Sequence, residues 1–359
     1  MIFFIGNIYK NDYIKRNNHL SAAASSWLNN FFKKINYKIK LVSFLPKRPF
    51  PFGELYVQEN NFSKIRETKY IDYLNLPFVK EKIIKIKILK EINRCRSNRI
   101  VIFTYNFPKI VFSVLDHIKN KNIFWICICA DYNIRDQKKI FKKLKNSDLN
   151  IFLSKFSFES YKYKNKIFFN GFQKVLDNKT KVKKIRNFLY SGSLDNWTGI
   201  NYFLDDFVKI KNDDVKFLIT SNSNSLLIKK YLADKRIKFL GFLNDFDYQK
   251  ILKKTDCYVN LRNTKDMNNL NNFPSKLLYY TPYCKPIIST SLKNLDPKLK
   301  KILISDKDNN YYKLLKNLIN LDPVSISKLS NKISKYNKEK QKEDLLFLKK
   351  IKQLIKDDK

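Results

Sequence analysis

Several residue types that carry much enzyme chemistry are scarce in this chain of 359 residues, which has six glycines, two histidines and five cysteines. Two histidines are too few for a zinc site built mainly of imidazole, and we expect no metal site. The cysteines are odd in number and lack paired metal-ligand spacing, which indicates free thiols in a reducing compartment. No run of about 18 apolar residues occurs, so the sequence predicts no membrane-spanning helix. Residues 1–5 lack a basic leader and predict a buried strand, so we expect a cytoplasmic protein.

Acidic side chains are also few, because 32 Asp and Glu stand against 72 Lys and Arg, for a formal net charge of +40. The excess is larger in the first half, where residues 1–186 carry 39 basic and 13 acidic side chains. This charge predicts anionic partners, which are acidic lipid head groups, phosphorylated substrates or nucleic acid. Only ten of the basic residues are arginine, and this weighs against base-reading DNA recognition, which favours arginine forks.

Apolar runs typical of strands alternate with helical patterns along most of the chain. Such alternation predicts an α/β fold with parallel sheets that are covered on both faces by helices. The predicted strands are Ile2–Ile5, Lys38–Phe44, Ile100–Thr104, Ile123–Cys129, Leu149–Leu153, Asn187–Tyr190, Val215–Ile219, Ile237–Leu240, Cys257–Asn260 and Pro286–Ser289. The predicted helices are Ser21–Lys34, Lys109–Ile118, Gln137–Leu144, Gly199–Ile210, Ser225–Ala233, Asp245–Lys254 and Pro274–Thr281.

The length suggests two domains, and composition indicates where the first ends. A polar, lysine-rich stretch at 172–186 is the predicted linker between a domain at 1–171 and a domain at 187–323. Residues 324–359 predict one or two charged helices, which either form a solvated tail or pack back on the N-terminal domain.

Three of the six glycines follow predicted strands, at Gly6, Gly192 and Gly241. Glycine allows the backbone to approach a ligand closely, and ligands of doubly wound sheets bind at the carboxyl ends of the strands. These three positions therefore favour ligand sites at the sheet edges.

Residues 256–290 suggest a site for phosphate or diphosphate. Strand Cys257–Asn260 leads to Arg262, and a helix predicted to start near Pro274 carries Ser275 and Lys276 beside its first turn. A helix start presents free N–H groups and partial positive charge, which suit an anion. The alternative is an ordinary strand–helix–strand unit whose polar residues are caps and solvated charges.

The ordered set of motifs resembles the glycosyltransferases of the GT-B fold, closest to family 4, the retaining group that builds bacterial polysaccharides. Phe188–Leu194 with Gly199 resembles the first strand, glycine turn and helix of the family's nucleotide-sugar domain, and Phe239–Leu243 resembles its strand beside the nucleobase. Asp256–Arg262, Asn272–Lys276 and Lys285–Thr290 resemble the motif that follows. The resemblance implies two Rossmann-like doubly wound domains facing a cleft, with 1–171 binding acceptor and 187–323 binding the nucleotide sugar.

The resemblance also implies roles for individual residues. Arg262 and Lys276 would stabilise the leaving diphosphate as the catalytic residues. The donor would be bound by Ser191, Gly192, Ser193, Gly241, Phe242, Asn272, Phe273, Pro274, Ser275 and Tyr279. The chain departs from the family at Asn271 and Tyr279, where many members have glutamates, and at Ser193 and Thr198, where many have Arg and Lys.

On the acceptor side, the resemblance points to Gly6, Asn7, His19 and Asp131. Asp131 is alternatively a helix N-cap or turn residue, and His19 is alternatively a surface histidine. The implied reaction is a front-side transfer with retention, in which the leaving phosphate itself takes the acceptor proton. It requires no metal and no cofactor beyond the nucleoside diphosphate sugar, which is a co-substrate.

Three functions follow as hypotheses. The first is an enzyme that transfers a sugar from a nucleoside diphosphate to a glycan or lipid-linked glycan of the cell envelope, working in the cytoplasm or held at the cytoplasmic face of an anionic membrane. The second is a non-catalytic scaffold or regulatory subunit of the same fold, which the substituted motif positions suggest. The third, a nucleic-acid-binding protein, depends on charge alone, and we expect no specific nucleic acid partner.

Overall fold

The computed structural model describes residues 1–9, 22–45, 47–58, 68–97, 99–106, 109–118, 122–174, 176, 182–221, 226–305 and 310–356. These residues form two compact units. Unit 1 comprises Met1–Asn170 together with Lys350–Lys359, and unit 2 comprises Gly171–Lys349.

Unit 1 alternates strands and helices over most of its described length. Its strands are β1 (Ile2–Ile5), β2 (Ile39–Ser43), β3 (Tyr56–Val57), β4 (Thr68–Tyr70), β5 (Tyr73–Leu74), β6 (Arg99–Tyr105), β7 (Asn122–Cys129), β8 (Leu149–Phe152) and β9 (Lys166–Phe168). Its helices are α1 (Ala22–Ile35), α2 (Val79–Asn93), α3 (Lys109–Leu115), α4 (Gln137–Leu144) and α5 (Lys155–Ser160), with a 3₁₀ turn at Ile134–Asp136.

Seven of these strands form one parallel sheet in the order β4-β2-β1-β6-β7-β8-β9, and β3 and β5 form a separate antiparallel pair. The interior strand β1 is buried along its whole length, as expected for a strand covered on both faces. On one side Phe4 meets Phe32 of α1 edge to face, with 5.0 Å between ring centroids. The Trp27 indole N–H donates to the carbonyl of Asn170 at 3.0 Å, which ties α1 to the end of the unit.

Unit 2 repeats the alternation. Its strands are β10 (Asn187–Ser191), β11 (Lys216–Thr220), β12 (Ile237–Phe239), β13 (Cys257–Asn260) and β14 (Ile287–Ser289). Its helices are α6 (Ile200–Phe207), α7 (Leu226–Lys229), α8 (Asp245–Lys254), α9 (Leu277–Tyr280), α10 (Pro297–Lys300), α11 (Tyr311–Ile319) and α12 (Pro323–Lys356), of which the residues from 350 onward belong to unit 1. Short 3₁₀ turns lie at Asn196–Thr198, Lys230–Ala233, Met267–Leu270 and Thr281–Tyr283.

The five strands of unit 2 form a parallel sheet in the order β12-β11-β10-β13-β14. Helices α6 and α11 pack their apolar residues on this sheet, where Phe203 lies 5.1 Å from Phe217 and 5.3 Å from Tyr311 between ring centroids. The α/β class with parallel sheets, which the alternation of apolar runs predicted, is therefore confirmed.

A buried polar cluster joins the first residues of unit 2 to α12. The amide nitrogen of the Gln173 side chain donates to Thr281 Oγ1 at 2.7 Å and to Asn337 Oδ1 at 2.5 Å. Lys340 donates to the Asp344 carboxylate and, at 2.8 Å, to the carbonyl of Gly171. Burial raises the pKa of Asp344, although the Lys340 ammonium opposes this. The Gln173 amide nitrogen, the Lys340 ammonium and the Asp344 carboxylate thus have the partners that burial requires, whereas Gln173 Oε1 has none among the described residues.

The predicted elements agree with most of the structure, and strands Ile2–Ile5 and Cys257–Asn260 have their predicted bounds. The predicted helix Pro274–Thr281 is wrong at its start, because α9 begins at Leu277 and has four residues. The charged C-terminal segment forms one helix, α12. No helix within the described ranges is long and apolar enough to cross a membrane.

Candidate functional site

The candidate site lies where the strand order of unit 2 reverses. Strand β10 pairs with β11 on one side and with β13 on the other, so the loops that leave β10 and β13 run in opposite directions. In doubly wound sheets the crevice outside the carboxyl ends of two such strands is the usual ligand site. The loop after β10 contains Ser191, Gly192 and Ser193, and the loop after β13 begins with Leu261 and Arg262.

The loop after β10 leaves no room for a side chain at Gly192. A Cβ built on Gly192 would lie 2.7 Å from the Tyr190 hydroxyl oxygen and 3.1 Å from Lys276 Nζ. The Tyr190 hydroxyl donates to the carbonyl of Ser193 at 2.6 Å, and the Gly192 N–H donates to the carbonyl of Thr220 at 3.1 Å. The loop is thus held in place, and the Lys276 ammonium lies directly against it.

Arg262 reaches the same loop by stacking on an aromatic ring. Its guanidinium carbon lies 4.6 Å from the Trp197 ring centroid, within the range of a cation–π contact. Its own N–H donates to Thr290 Oγ1 at 3.0 Å, and its Nη1 donates to the carbonyl of Leu261 at 3.0 Å. The two loops are joined at the same place, because the Asn263 N–H donates to the carbonyl of Trp197 at 2.9 Å.

Two cations of the chain therefore lie near each other at the glycine loop. Burial, and to a lesser degree the neighbouring Arg262 guanidinium, lower the pKa of the Lys276 ammonium to about 7. Near neutral pH this amine is divided between its charged and neutral forms. A bound anion would favour the charged form and raise this pKa again. Burial also raises the pKa of Tyr190, whose hydroxyl stays neutral in that range.

The expected contribution of a helix start at Pro274 is not observed. The N–H groups of Leu277 and Leu278 donate at 3.0 and 3.1 Å to the carbonyls of Pro274 and Ser275, inside the turn that precedes α9. A helix of four residues also has too few aligned peptides for a large dipole. The positive character of this site comes from the side chains of Arg262 and Lys276.

The remaining donor-side predictions fall around the same sheet edge. Gly241 follows β12 with a φ of 65°, its carbonyl accepts from Thr220 Oγ1 at 2.8 Å, and nothing lies within 4 Å of where its Cβ would be. Phe242 follows it and is half-buried. The carbonyl of Asn272 accepts from the side-chain amide of Asn294 at 2.5 Å, which fixes the chain just before α9. Phe273 and Pro274 are buried, whereas Ser275 and Tyr279 are half-buried.

The acceptor-side predictions lie in unit 1. Gly6 and Asn7 follow β1, and Asp131 follows β7 by two positions. The side-chain oxygen of Asn106, at the end of β6, accepts from the N–H groups of Ala130 and Asp131 at 2.9 and 3.2 Å. His19 lies outside the described residues.

Three residues that organise these edges were not predicted from the sequence. Trp197 supports Arg262, Asn294 holds the chain before α9, and Asn106 holds the segment that carries Asp131. A tryptophan five residues after a glycine turn was the available signal for the first. The two asparagines gave none, because an asparagine in a polar loop has many ordinary uses.

Residues 172–343 match the family model described as "Glycosyl transferases group 1", which is somewhat less than half of the chain. No curated protein matches.

Similar solved structures share the fold at low identity. The lipopolysaccharide outer core galactosyltransferase WaaB, in its apo form, has a TM-score of 0.63 and 12% identity over 99% of this chain and 98% of that one. HepE of Anabaena, in complex with UDP, has a TM-score of 0.62 and 12% identity over 95% and 94%. A TarM mutant of S. aureus, in complex with Fondaparinux, alpha-GlcNAc-glycerol and UDP, has a TM-score of 0.56 and 15% identity. The chain spans 61% of that TarM chain, and the alignment covers 77% of this one.

These matches show the fold, and with the family model they support a glycosyltransferase of the GT-B fold.

Proposed function

We propose that the chain transfers a sugar from a nucleoside diphosphate sugar to a glycan or lipid-linked glycan, with retention and without a metal ion. The proposal depends on one observation, which is that Lys276 Nζ lies against Gly192 beside Arg262, at the reversal of strand order in unit 2. Two cations beside a close-fitting glycine loop suit a diphosphate, which carries two negative charges and needs backbone to approach it.

The proposed reaction needs the protein mainly to stabilise negative charge on the leaving diphosphate. In front-side transfer, the bond between the sugar C1 and the diphosphate breaks while the acceptor oxygen bonds to C1 from the same face. The proton of the acceptor hydroxyl passes to the leaving phosphate. Negative charge therefore grows on the diphosphate, and the Arg262 guanidinium and the Lys276 ammonium would stabilise it. The charge that a divalent cation supplies in other enzymes would here come from these side chains.

We assign the remaining donor contacts to the loops at the same sheet edge. The backbone at Ser191 and Ser193 would contact the diphosphate, and the open space at Gly241 beside Phe242 would admit the nucleobase. The Tyr279 side chain would contact the ribose. We assign binding of the sugar acceptor to the carboxyl edge of the unit 1 sheet, where the Asp131 carboxylate would accept a hydrogen bond from the acceptor hydroxyl. We place the reaction in the cytoplasm, where nucleotide sugars are made.

Calorimetry with a panel of UDP and GDP sugars tests the donor assignment. UDP is the first nucleotide to try, because the similar HepE and TarM structures contain it. We expect saturable heat with at least one donor, and its loss in a variant with Arg262→Ala and Lys276→Ala. Release of the free nucleoside diphosphate on addition of a glycan acceptor would then establish turnover.

A second candidate is a non-catalytic scaffold of the same fold. It is favoured by Ser193 and Thr198, which stand where many relatives of this type have cations. Thr198 is buried, and its hydroxyl donates to the carbonyl of Asp195 at 2.7 Å, so it cannot replace a lysine at the diphosphate. If no donor of the panel binds, the scaffold becomes the better assignment.

A further inference from the structure

Large apolar side chains are exposed on two neighbouring segments of unit 1, which follow the carboxyl ends of β2 and β4. They come from the turn 48–56 and from the start of α2. The aromatic face, as we name this set, consists of Phe50, Phe52, Leu55, Tyr56, Phe78 and Val79. Phe52 is 83% exposed and Phe78 is 97% exposed, so both rings point almost entirely into solvent.

Asn75 holds the two segments of the aromatic face side by side. Its side-chain amide donates to the carbonyls of Arg48 and Glu54 at 2.6 and 2.9 Å. Its own N–H donates to the carbonyl of Leu55 at 2.8 Å, and its carbonyl accepts from the Phe50 N–H at 2.9 Å. Asn75 is fully buried, so this support lies beneath the face. Phe78 is only three residues further along, which keeps its backbone within about 10 Å of Asn75.

Phe78 also has an unfavourable backbone conformation. Its φ is 65° and its ψ is −26°, in the left-handed region, where a bulky residue other than glycine is an outlier. The residue thus carries both backbone strain and an exposed aromatic ring. Contacts of the ring within unit 1 offset neither the backbone strain nor the exposure of apolar surface, since almost all of the side chain is exposed to solvent. An external contact for this ring would account for both.

The surroundings of the aromatic face are positively charged. Residues 47–58 and 77–87 contain six Lys or Arg and two Glu. Aromatic rings with nearby lysines are the combination that binds at the surface of an anionic bilayer, because the rings enter the interface and the cations attract the head groups.

We propose that the aromatic face docks unit 1 on the surface of an anionic phospholipid bilayer, with Phe52 and Phe78 entering the head-group region. The net positive charge of the surrounding segments favours an anionic bilayer over a neutral one. The aromatic face shares no residue with the proposed nucleotide site of unit 2, and its test does not require sugar transfer.

Sedimentation of the full chain with vesicles tests the proposal. One set of vesicles is phosphatidylcholine, and the other is phosphatidylcholine mixed with phosphatidylglycerol. We expect the wild type to sediment with the mixed vesicles alone, and to be released by high salt. A Phe52→Ser, Phe78→Ser double variant should bind at least roughly tenfold more weakly, given the transfer energy of aromatic side chains.

The matched control is Leu345→Ser with Leu346→Ser. These neighbours on α12 are 67% and 68% exposed, so the change removes exposed apolar surface elsewhere. It should leave vesicle binding unchanged. Equal losses in the two double variants would overturn the proposal, as would wild-type binding by the Phe52, Phe78 variant.

A single change separates docking from folding. Phe78→Gly removes the ring and relieves the backbone, so it should keep or raise the melting temperature while weakening vesicle binding. Nucleotide calorimetry on this variant should match the wild type, and a loss there would instead indicate damage to unit 2. Concentration-dependent dimerisation that the Phe52, Phe78 variant abolishes, without lipid binding by the wild type, would assign the face to a second copy and overturn the lipid assignment.

Discussion

Donor binding should be coupled to uptake of a proton by Lys276. The pKa of this amine is about 7 in the empty site, because burial and Arg262 disfavour its charge. A bound diphosphate would restore that charge and raise the pKa. Above pH 7 the empty protein must therefore gain a proton in order to bind the donor well, whereas below pH 7 it already carries one.

The size of the effect follows from the pKa of the empty site. Between about pH 6 and about pH 8, the charged fraction of Lys276 falls from about nine-tenths to about one-tenth, so the donor affinity should fall roughly tenfold. Other groups at the site do not titrate in this window, because Arg262 stays charged and the raised pKa of Tyr190 keeps its hydroxyl neutral. Both phosphates of a nucleotide sugar are esterified, so the ligand keeps its charge.

Calorimetry of a nucleotide sugar across this pH range measures the slope, and buffers of different ionisation enthalpy give the proton count. We expect about one proton per donor bound near pH 8. Lys276→Arg should bind with a flat profile, since arginine stays charged, and Lys276→Met should bind weakly with a flat profile. A Lys276→Met protein that retained the wild-type slope would refute the reasoning.

The thermal stability of Lys276→Met separates weak binding from loss of fold. The folded pKa of Lys276 lies below its unfolded value, so the charged amine destabilises the fold, fully below pH 7 and progressively less as pH rises above it. Methionine removes this cost, and the melting temperature at acidic pH should rise. A fall would mean that the amine makes contacts on which the fold depends.

The other predictions concern single positions. Arg262→Ala should lower turnover by on the order of a hundredfold or more, because removing one donor to a developing oxyanion has an effect of that size. Lys265 is an exposed cation in the same loop, and Lys265→Ala should keep wild-type turnover. Gly192→Ala should weaken donor binding, because its Cβ would press on Lys276 Nζ. Gly241 has open space around it but a positive φ, so Gly241→Ala should lower the free energy of unfolding by about 1 kcal/mol in chemical denaturation. Asp344→Ala should destabilise unit 2 by about 3–5 kcal/mol in the same assay, because it strands a buried ammonium, and a loss under 1 kcal/mol would contradict the buried pair.

Much of the fold was predictable because buried parallel strands leave a simple pattern. Continuous apolar runs such as Ile2–Ile5 and Cys257–Asn260 have few other uses in a chain so rich in lysine. Helix α2 was missed, since Lys85 to Ile88 alternate polar and apolar residues as a strand would, and isoleucine favours strands. Its buried residues Ile84, Ile88 and Ile92 do follow a helical period of four.

The candidate site was predictable only to the level of its loops. Strands that are adjacent in a sheet bring their following loops together, so Gly192 and Arg262 could be expected near each other. The contact between Arg262 and Trp197 could not, because it depends on the path of two irregular loops. The short α9 was misjudged for a similar reason. A proline is compatible with a first helical turn, but it is equally compatible with the open turn that is observed.

The buried polar cluster of unit 2 has a consequence for the length of chain that this unit requires. Gln173 donates to Asn337, and Lys340 donates to the carbonyl of Gly171, each across more than 160 positions of sequence. A polypeptide stopped ahead of Asn337 would retain every strand of the second sheet and yet remove one partner of the Gln173 amide and the Lys340 partner of the Gly171 carbonyl. Unit 2 is therefore not a separable module at its last strand, because its buried contacts include residues of α12.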